Sequence, residues 1–471
     1  MELQQAVSRF KEIQRKMAAY NHAMGLLYYD SVTTAPSDSS QTLGQTLEVL
    51  SEESYRLSVN EELKEILRQL VEEKNSLDAQ TRREAEKMYE EQQKLARIPM
   101  EEYVAFQVEV NEAQHVWHQA KEKSDYVLLN EYEKGLTTAA LDDYFARLRA
   151  SVAPLVQRIV RQEKPPRTDF LQRVWPVEQQ RRLSDWLMQL LTIDRSHCAI
   201  GETEHPFTIE FSKKDVRITT HYYENDVLSS LYSVVHEGGH ALYELHLDDA
   251  LIGSSLAHGT SMGVHESQSR FFENMIGRSQ AFCHVLYPKL KELFPQQMAD
   301  VSEEELYRAA NLAQPSLIRT EADELTYSLH IMVRYELEKR IFADELTVDQ
   351  LPAEWNRLYR EYLGIEVPDD AHGILQDSHW SGGDFGYFPS YSIGSAYAAQ
   401  IYAAMCRELD VPVLVQRGEL APVVDWLTQR IYRYGSQIDP PQVLLNCCGA
   451  GFDPQYYIDY LTKKFTALYQ L

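Results

Sequence analysis

The period of the apolar residues limits this chain more than any other property. From Met1 to about Arg161 they recur every three or four positions, in segments such as "SRFKEIQRKMAAYNHAMGLLYYD" and "EAEKMYEEQQKLARI", with short breaks carrying Pro, Ser or Asn. That spacing lines one face of a helix. The stretches 176–194, 265–297, 302–346, 390–408, 419–437 and 453–470 show the same period, and none repeats another at a fixed length. One segment departs. In "HPFTIEFSKKDVRITTHYY", 205–223, β-branched and aromatic residues alternate with polar ones around "SKKD", which predicts a β-hairpin. The expected architecture is mainly α-helical with one small sheet.

No Ser/Gly linker, charge block or low-complexity run divides the 471 residues, of which 44% are hydrophobic. One domain is expected over 1–471, with a helical amino-terminal part at 1–200 and a metal- and substrate-binding part at 201–471. The net charge of -25 repels polyphosphates and anionic lipid, which argues against nucleic-acid and membrane partners. No apolar run approaches the roughly 18 residues that span a bilayer. The segment "MELQQAVSRFKEIQRK" lacks the apolar stretch of a signal peptide, so a cytoplasmic protein is expected. Cys198, Cys283, Cys406, Cys447 and Cys448 follow no zinc or redox spacing and read as reduced packing residues, with "NCCGAGF" a tight turn.

Directly after the hairpin comes "YSVVHEGGHALYE", 232–244. His236 and His240 stand at i and i+4, about 40° apart around a helix, so both imidazoles reach one ion with Glu237 beside them. This is the H-E-x-x-H pattern of zinc hydrolases. Asn225 or Asp226 can cap the helix, and Val227, Leu228, Leu231, Tyr232, Val234, Val235, Leu242 and Leu245 make it apolar over most of its circumference. Two histidines and a carboxylate inside a buried helix need a bound partner to offset desolvation. Gly238 and Gly239 each cost about 1 kcal/mol relative to Ala in a helix. Helical geometry sets Gly239 about 80° from the metal direction, where it is expected to leave room for substrate, and turns Gly238 towards a close neighbouring helix.

A catalytic zinc takes three protein ligands. His246 has the spacing of a metzincin third ligand, but Tyr243 stands where those enzymes have a turning Gly, and a continued helix carries His246 about 15 Å past His236. Glu266, in "GVHESQSRFFENMIG", is the better candidate, with Glu273 and His265 as fallbacks. Two His and one Glu leave a position for a water, from which Glu237 would take a proton as general base. Substrate-facing groups are offered by three stretches: Asp215 and Arg217 in "DVRITT", Arg319, Glu321 and Asp323 in "LIRTEADELTYSLHI", and Gln376, Asp377, His379, Tyr387 and Tyr391 in "GILQDSHWSGGDFGYFPSYSIG". A phenol or imidazolium from the third suits an oxyanion. These residues indicate a zinc-dependent hydrolase of peptides.

The ordered blocks "HPFT", "DVRIT", "HEGGHALYE", "HESQSR", "IRTEADELTY" and "GILQDSHW", with "LLYYDSVTTAP" before them, resemble the carboxypeptidase Taq family of zinc metallopeptidases. The resemblance implies a cytoplasmic, homodimeric metallocarboxypeptidase that releases single residues from peptide carboxyl termini with broad specificity and works poorly at proline. It implies a cleft-bearing helical fold shared with neurolysin-like and angiotensin-converting-enzyme-like peptidases. It makes His236, His240 and Glu266 ligands of one Zn2+, with Co2+ or Mn2+ as substitutes, and Glu237 the base. By analogy His379 and Tyr391 stabilise the oxyanion, with Tyr387 a rival phenol, and Arg319, or second Arg217, holds the terminal carboxylate. Tyr29 stands where the family commonly has Trp, and the chain looks shorter than typical members.

The alternative is an oligopeptidase or endopeptidase using the same site with an open-ended cleft. A fixed cation near the metal separates the two readings. A silent metal scaffold fits poorly, because Glu237 is superfluous to a structural ion and such sites usually close with four ligands.

Overall fold

The computed structural model describes residues 1–36, 39–95, 125–162 and 165–471. The helical reading of 96–124 lies outside them. The amino-terminal helices are α1 (Leu3–Thr33), α2 (Ser40–Ser58), α3 (Glu61–Glu72) and α4 (Ala79–Leu95), followed by α5 (Asp125–Tyr132), α6 (Thr138–Val160) and α7 (Val177–Leu190). Phe10 and Ile13 of α1, Leu63, Ile66, Leu67 and Leu70 of α3, and Ala85 of α4 form a small apolar cluster separate from the main core. The main core takes in α6, α7 and nearly everything after them. Among the described residues no helix is long and apolar enough to cross a membrane.

The hairpin forms as expected, from β2 (Thr208–Ser212) and β3 (Asp215–Thr220). A strand that the pattern does not announce, β1 (Cys198–Glu202), pairs parallel to β3, so the sheet order is β1-β3-β2 with β2 on an edge. Its sequence "CAIGE" is short and carries Gly201, which weakens any alternation signal. The glycine leaves room for α1, since a Cβ there would lie 2.5 Å from Tyr29 Oη of that helix. Along β2, Ile209 and Phe211 pack against Gly25 of α1. Thr208 faces the other way, towards the helix that follows.

That helix, α8 (Val227–Leu245), is capped by Asp226, whose side chain accepts from the backbone N–H of Leu228 and Ser229. It leads through a loop into α9 (Met262–Arg270), which continues as a π-helical segment, Phe271–Gly277. Then come α10 (Gln280–Leu293), α11 (Glu303–Ala310), α12 (Tyr327–Phe342), α13 (Leu351–Tyr362) and α14 (Pro389–Met405). The periodicity over 302–346 therefore spans a break. Residues 311–326 leave the helical path, with Pro315 within them and, at their end, a turn in which Asp323 accepts from Leu325 N and Thr326 N ahead of α12. Four further helices, α15 (Val411–Gln416), α16 (Ala421–Arg430), α17 (Pro440–Cys448) and α18 (Gln455–Tyr469), complete the chain. "NCCGAGF" is the end of α17, stopped by Gly449 at φ +74°.

Candidate metal centre

The two histidines of α8 point the same way, as their i, i+4 spacing requires. His240 Nε2 lies 3.4 Å and His236 Nε2 3.7 Å from Glu266 Oε2 of α9. Donor atoms of all three residues fall within 4.8 Å of one another. Two imidazole nitrogens and one carboxylate oxygen converging in this way fit a small divalent cation. Glu273 and His265, the fallback ligands, stand behind the histidines: His236 Nδ1 is 2.9 Å from Glu273 Oε2, and His240 Nδ1 is 2.6 Å from His265 Nδ1. His246 is the residue after the helix, with its ring on Leu242 O.

The glycines explain how two backbones bring these groups together. A Cβ on Gly239 would sit 2.6 Å from Gln268 O and 2.7 Å from Ser269 Cα, so Gly239 faces the backbone of α9. The expectation that it leaves room for substrate is overturned. Its missing side chain lets the helix bearing Glu266 approach the helix bearing the histidines. Gly238 meets Leu191 and Ile193, just past the end of α7, in keeping with close packing there. From the third side, Gly394 of α14 faces Glu266, where a Cβ would be 2.6 Å from its Cγ.

The charges are buried and matched. Arg270 donates to Glu266 Oε1 at 2.7 Å and to Glu273 Oε2 at 3.2 Å, and Arg278 donates to Glu273 Oε1 at 2.9 Å. Burial pushes both carboxyls up, but Arg270 first, with the histidines and for Glu273 also Arg278, holds them well below the usual range. Burial lowers His240 to about 3, which keeps its ring neutral. Opposed by the same burial, Glu266 and Glu273 hold His236 above its ordinary value. Glu237 is pushed up, chiefly by burial, while His236 and a hydrogen bond from Thr208 pull the other way. That bond runs from Thr208 Oγ1 to Glu237 Oε2 at 2.6 Å, so strand β2 holds the carboxylate at the side of the cluster.

On α14, Tyr391 lies one turn before Gly394 and so on nearly the same face. Its hydroxyl is 3.1 Å from His379 Nε2, and Tyr387 packs edge-on at 5.1 Å between centroids. The Glu266 carboxylate contributes to raising both phenols, behind larger effects of burial. Burial and then Arg319 lower His379 to about 4, so the resting ring is neutral and the expected imidazolium is corrected to an imidazole.

Both arginines are engaged. Arg319 gives its Nε/Nη2 edge to Asp377, with Nη2 at 2.7 Å from Oδ1, and Nη1 to Tyr327 Oη at 3.1 Å. Its guanidinium lies 4.9 Å from the Tyr391 ring. Arg334 is a second partner of Asp377. Arg217 forms the same two-pronged pair with Asp215 and is held between the rings of Tyr29 and Phe211 at 5.1 and 4.9 Å. It therefore sits on the α1 face of the sheet, opposite the face that touches Glu237. Arg270, Thr208 and Tyr327 are site residues that the motif reading left without roles, and Asp377, offered there as a substrate-facing group, is the partner of Arg319 and Arg334. Only Arg270 had a signal, its i+4 spacing from Glu266.

The sequence model of the carboxypeptidase Taq (M32) metallopeptidases matches residues 9–129 and 126–465. The chain belongs to that family. It is 37% identical to carboxypeptidase 1 of Bacillus subtilis, with 100% of each chain covered. It is 41% identical to thermostable carboxypeptidase 1 of Thermus thermophilus over 73% of this chain and 67% of the relative. Among solved structures, the M32 carboxypeptidase of Deinococcus radiodurans superposes with a TM-score of 0.94 at 32% identity, covering 99% of this chain and 100% of the other. The resemblance seen in the motifs and the helical fold with its small sheet are thereby borne out.

Proposed function

We propose that this metallocarboxypeptidase releases single residues from peptide carboxyl termini, with His236, His240 and Glu266 holding one Zn2+, replaceable by Co2+ or Mn2+. The observation that carries the reading is the convergence of the two Nε2 atoms on Glu266 with Glu237 held beside them by Thr208. A divalent cation held there supplies Lewis acidity towards a water and a scissile carbonyl. Glu237, kept basic by burial, accepts the proton of the attacking water and passes it to the departing amine. Tyr391 Oη donates to the developing oxyanion, and neutral His379 offers its Nε2–H to the same end, with Tyr387 next in line.

Arg319 is the better placed cation for the terminal carboxylate, since it packs on Tyr391 whereas Arg217 lies across the sheet. Asp377 takes one two-pronged edge of Arg319, and the Nη1/Nη2 edge carries one partner, Tyr327. That edge suits a carboxylate. Strand β2 is an edge strand, and an extended peptide adding to it would be read through its main chain, which favours broad specificity and disfavours proline, a residue without an N–H. The reading is of one domain working as a cytoplasmic homodimer, in keeping with five free cysteines.

The test is mass spectrometry of a free peptide and its carboxyl-amidated twin after incubation with metal-loaded protein. Stepwise shortening of the free peptide alone supports the proposal. Internal cuts in both would make the enzyme an oligopeptidase and remove Arg319 from its assigned part.

A further inference from the structure

We propose that His265 and Glu244 form a relay that sets the tautomer of His240 and thereby tightens metal binding; this rests on the reading of His240 as a ligand. His240 Nδ1 and His265 Nδ1 are 2.6 Å apart, so one proton lies between them and one ring must present a lone pair. His265 Nε2 is 2.9 Å from Glu244 Oε1. Glu244 is 1% exposed, and a carboxylate so buried requires donors. His265 therefore donates to it from Nε2–H, and with His240 Nε2 given over to an ion, His265 Nδ1 is the atom left to accept. His240 must then be the donor through Nδ1–H, and its Nε2 lone pair faces Glu266. The opposite arrangement would put a hydrogen on Nε2 and block the site.

The surroundings keep this chain in place. Glu244 Oε1 also accepts from Gly259 N at 2.9 Å. A Cβ on Gly259 would lie 2.6 Å from His265 Cδ2, so the loop closes over the imidazole only with glycine there. The Tyr243 ring stands 5.2 Å from that of His265. His236, His240 and Glu244 follow at four-residue intervals on α8, so the helix that supplies the ligands also supplies the group that orders them. The two ligands differ in consequence. His236 is backed directly by a carboxylate, Glu273, and His240 by an imidazole standing in front of one. His265 is a positioning residue, acting through His240.

The experiment is Zn2+ affinity by chelator competition on the full chain, for the wild type, His265→Phe, His265→Gln and His240→Ala, alongside thermal midpoints of the metal-free proteins. Phe keeps the ring packing and removes the acceptor. The expected result is a loss of about 10- to 100-fold in affinity for His265→Phe, partial recovery in His265→Gln, and a metal-free midpoint near that of the wild type. An affinity within about twofold of the wild type would overturn the relay. If His240→Ala binds as tightly as the wild type, the ligand assignment itself has failed, which is a separate outcome. Nitrogen NMR of the zinc-loaded wild type needs no variant: a protonated Nδ1 on His240 and a bare Nδ1 on His265 are expected, and the reverse would refute the proposal.

Discussion

The amino-terminal helices and the metal centre are held together by different means. In α1–α4 most charged groups pair in the open, as in Arg68 with Glu65 and Arg56 with Glu53, each with side chains about half exposed or more. Such pairs add little to stability. What binds these helices is the small cluster around Phe10 and Leu67, tied to the rest by polar contacts such as Arg83 to Asp439 at 2.7 Å and by packing of α1 on the sheet, as of His22 on Phe211. At the metal centre the ion pairs are buried, each carboxylate has two or more partners, and the helices meet backbone to backbone at Gly239. The contrast shows where the fold invests rigidity: an ion must be met by three atoms at fixed positions, and buried, doubly held side chains cannot drift from them.

Breaking a buried pair should have the largest effect on stability. Asp377→Asn leaves Arg319 and Arg334 without their carboxylate and should cost about 3–5 kcal/mol in denaturant unfolding. Burial raises the Asp377 carboxyl, but the two arginines hold it well below the ordinary value. Its stabilisation is therefore complete above the unfolded-state value of about 4 and is lost as pH falls through the lower folded-state value. The gap between wild type and variant should be widest near neutral pH and close in acid. Phe10→Ala should remove about 3–5 kcal/mol from the amino-terminal cluster, seen as faster hydrogen exchange in α1 and α3, with Zn2+ affinity unchanged. A fall in affinity would mean the two regions are coupled.

Gly239→Ala should cost about 1–3 kcal/mol, as overpacking does, and unlike Phe10→Ala it should weaken metal binding, measured by chelator competition, because it presses α8 away from α9. Arg9→Ala, which removes exposed pairs with Glu12 and Glu62, should leave the thermal midpoint within the scatter of replicates.

Much of the centre was legible because its parts are local. His236, Glu237 and His240 share one helical stretch, and Glu266 follows in the next. Contacts between segments were not legible. Nothing in "HEGGH" shows that Gly239 faces a backbone rather than a substrate, since helical geometry gives a direction and not what lies there. The same holds for Thr208, placed against Glu237 by strand pairing, and for β1, whose five residues carry almost no pattern. The break at 311–326 was masked by apolar spacing that continues across it, although Pro315 lies within it and the Asp323 turn comes at its end.

The central claim is that Glu237 performs proton transfer beside a metal held by His236, His240 and Glu266. Glu237→Gln tests it most directly, because the amide still accepts from Thr208 and touches no ligand bond. Release of the terminal residue from a free peptide should slow by about 100-fold or more, with one Zn2+ per chain bound as in the wild type. Turnover within a few-fold of the wild type in the zinc-loaded variant would contradict the account.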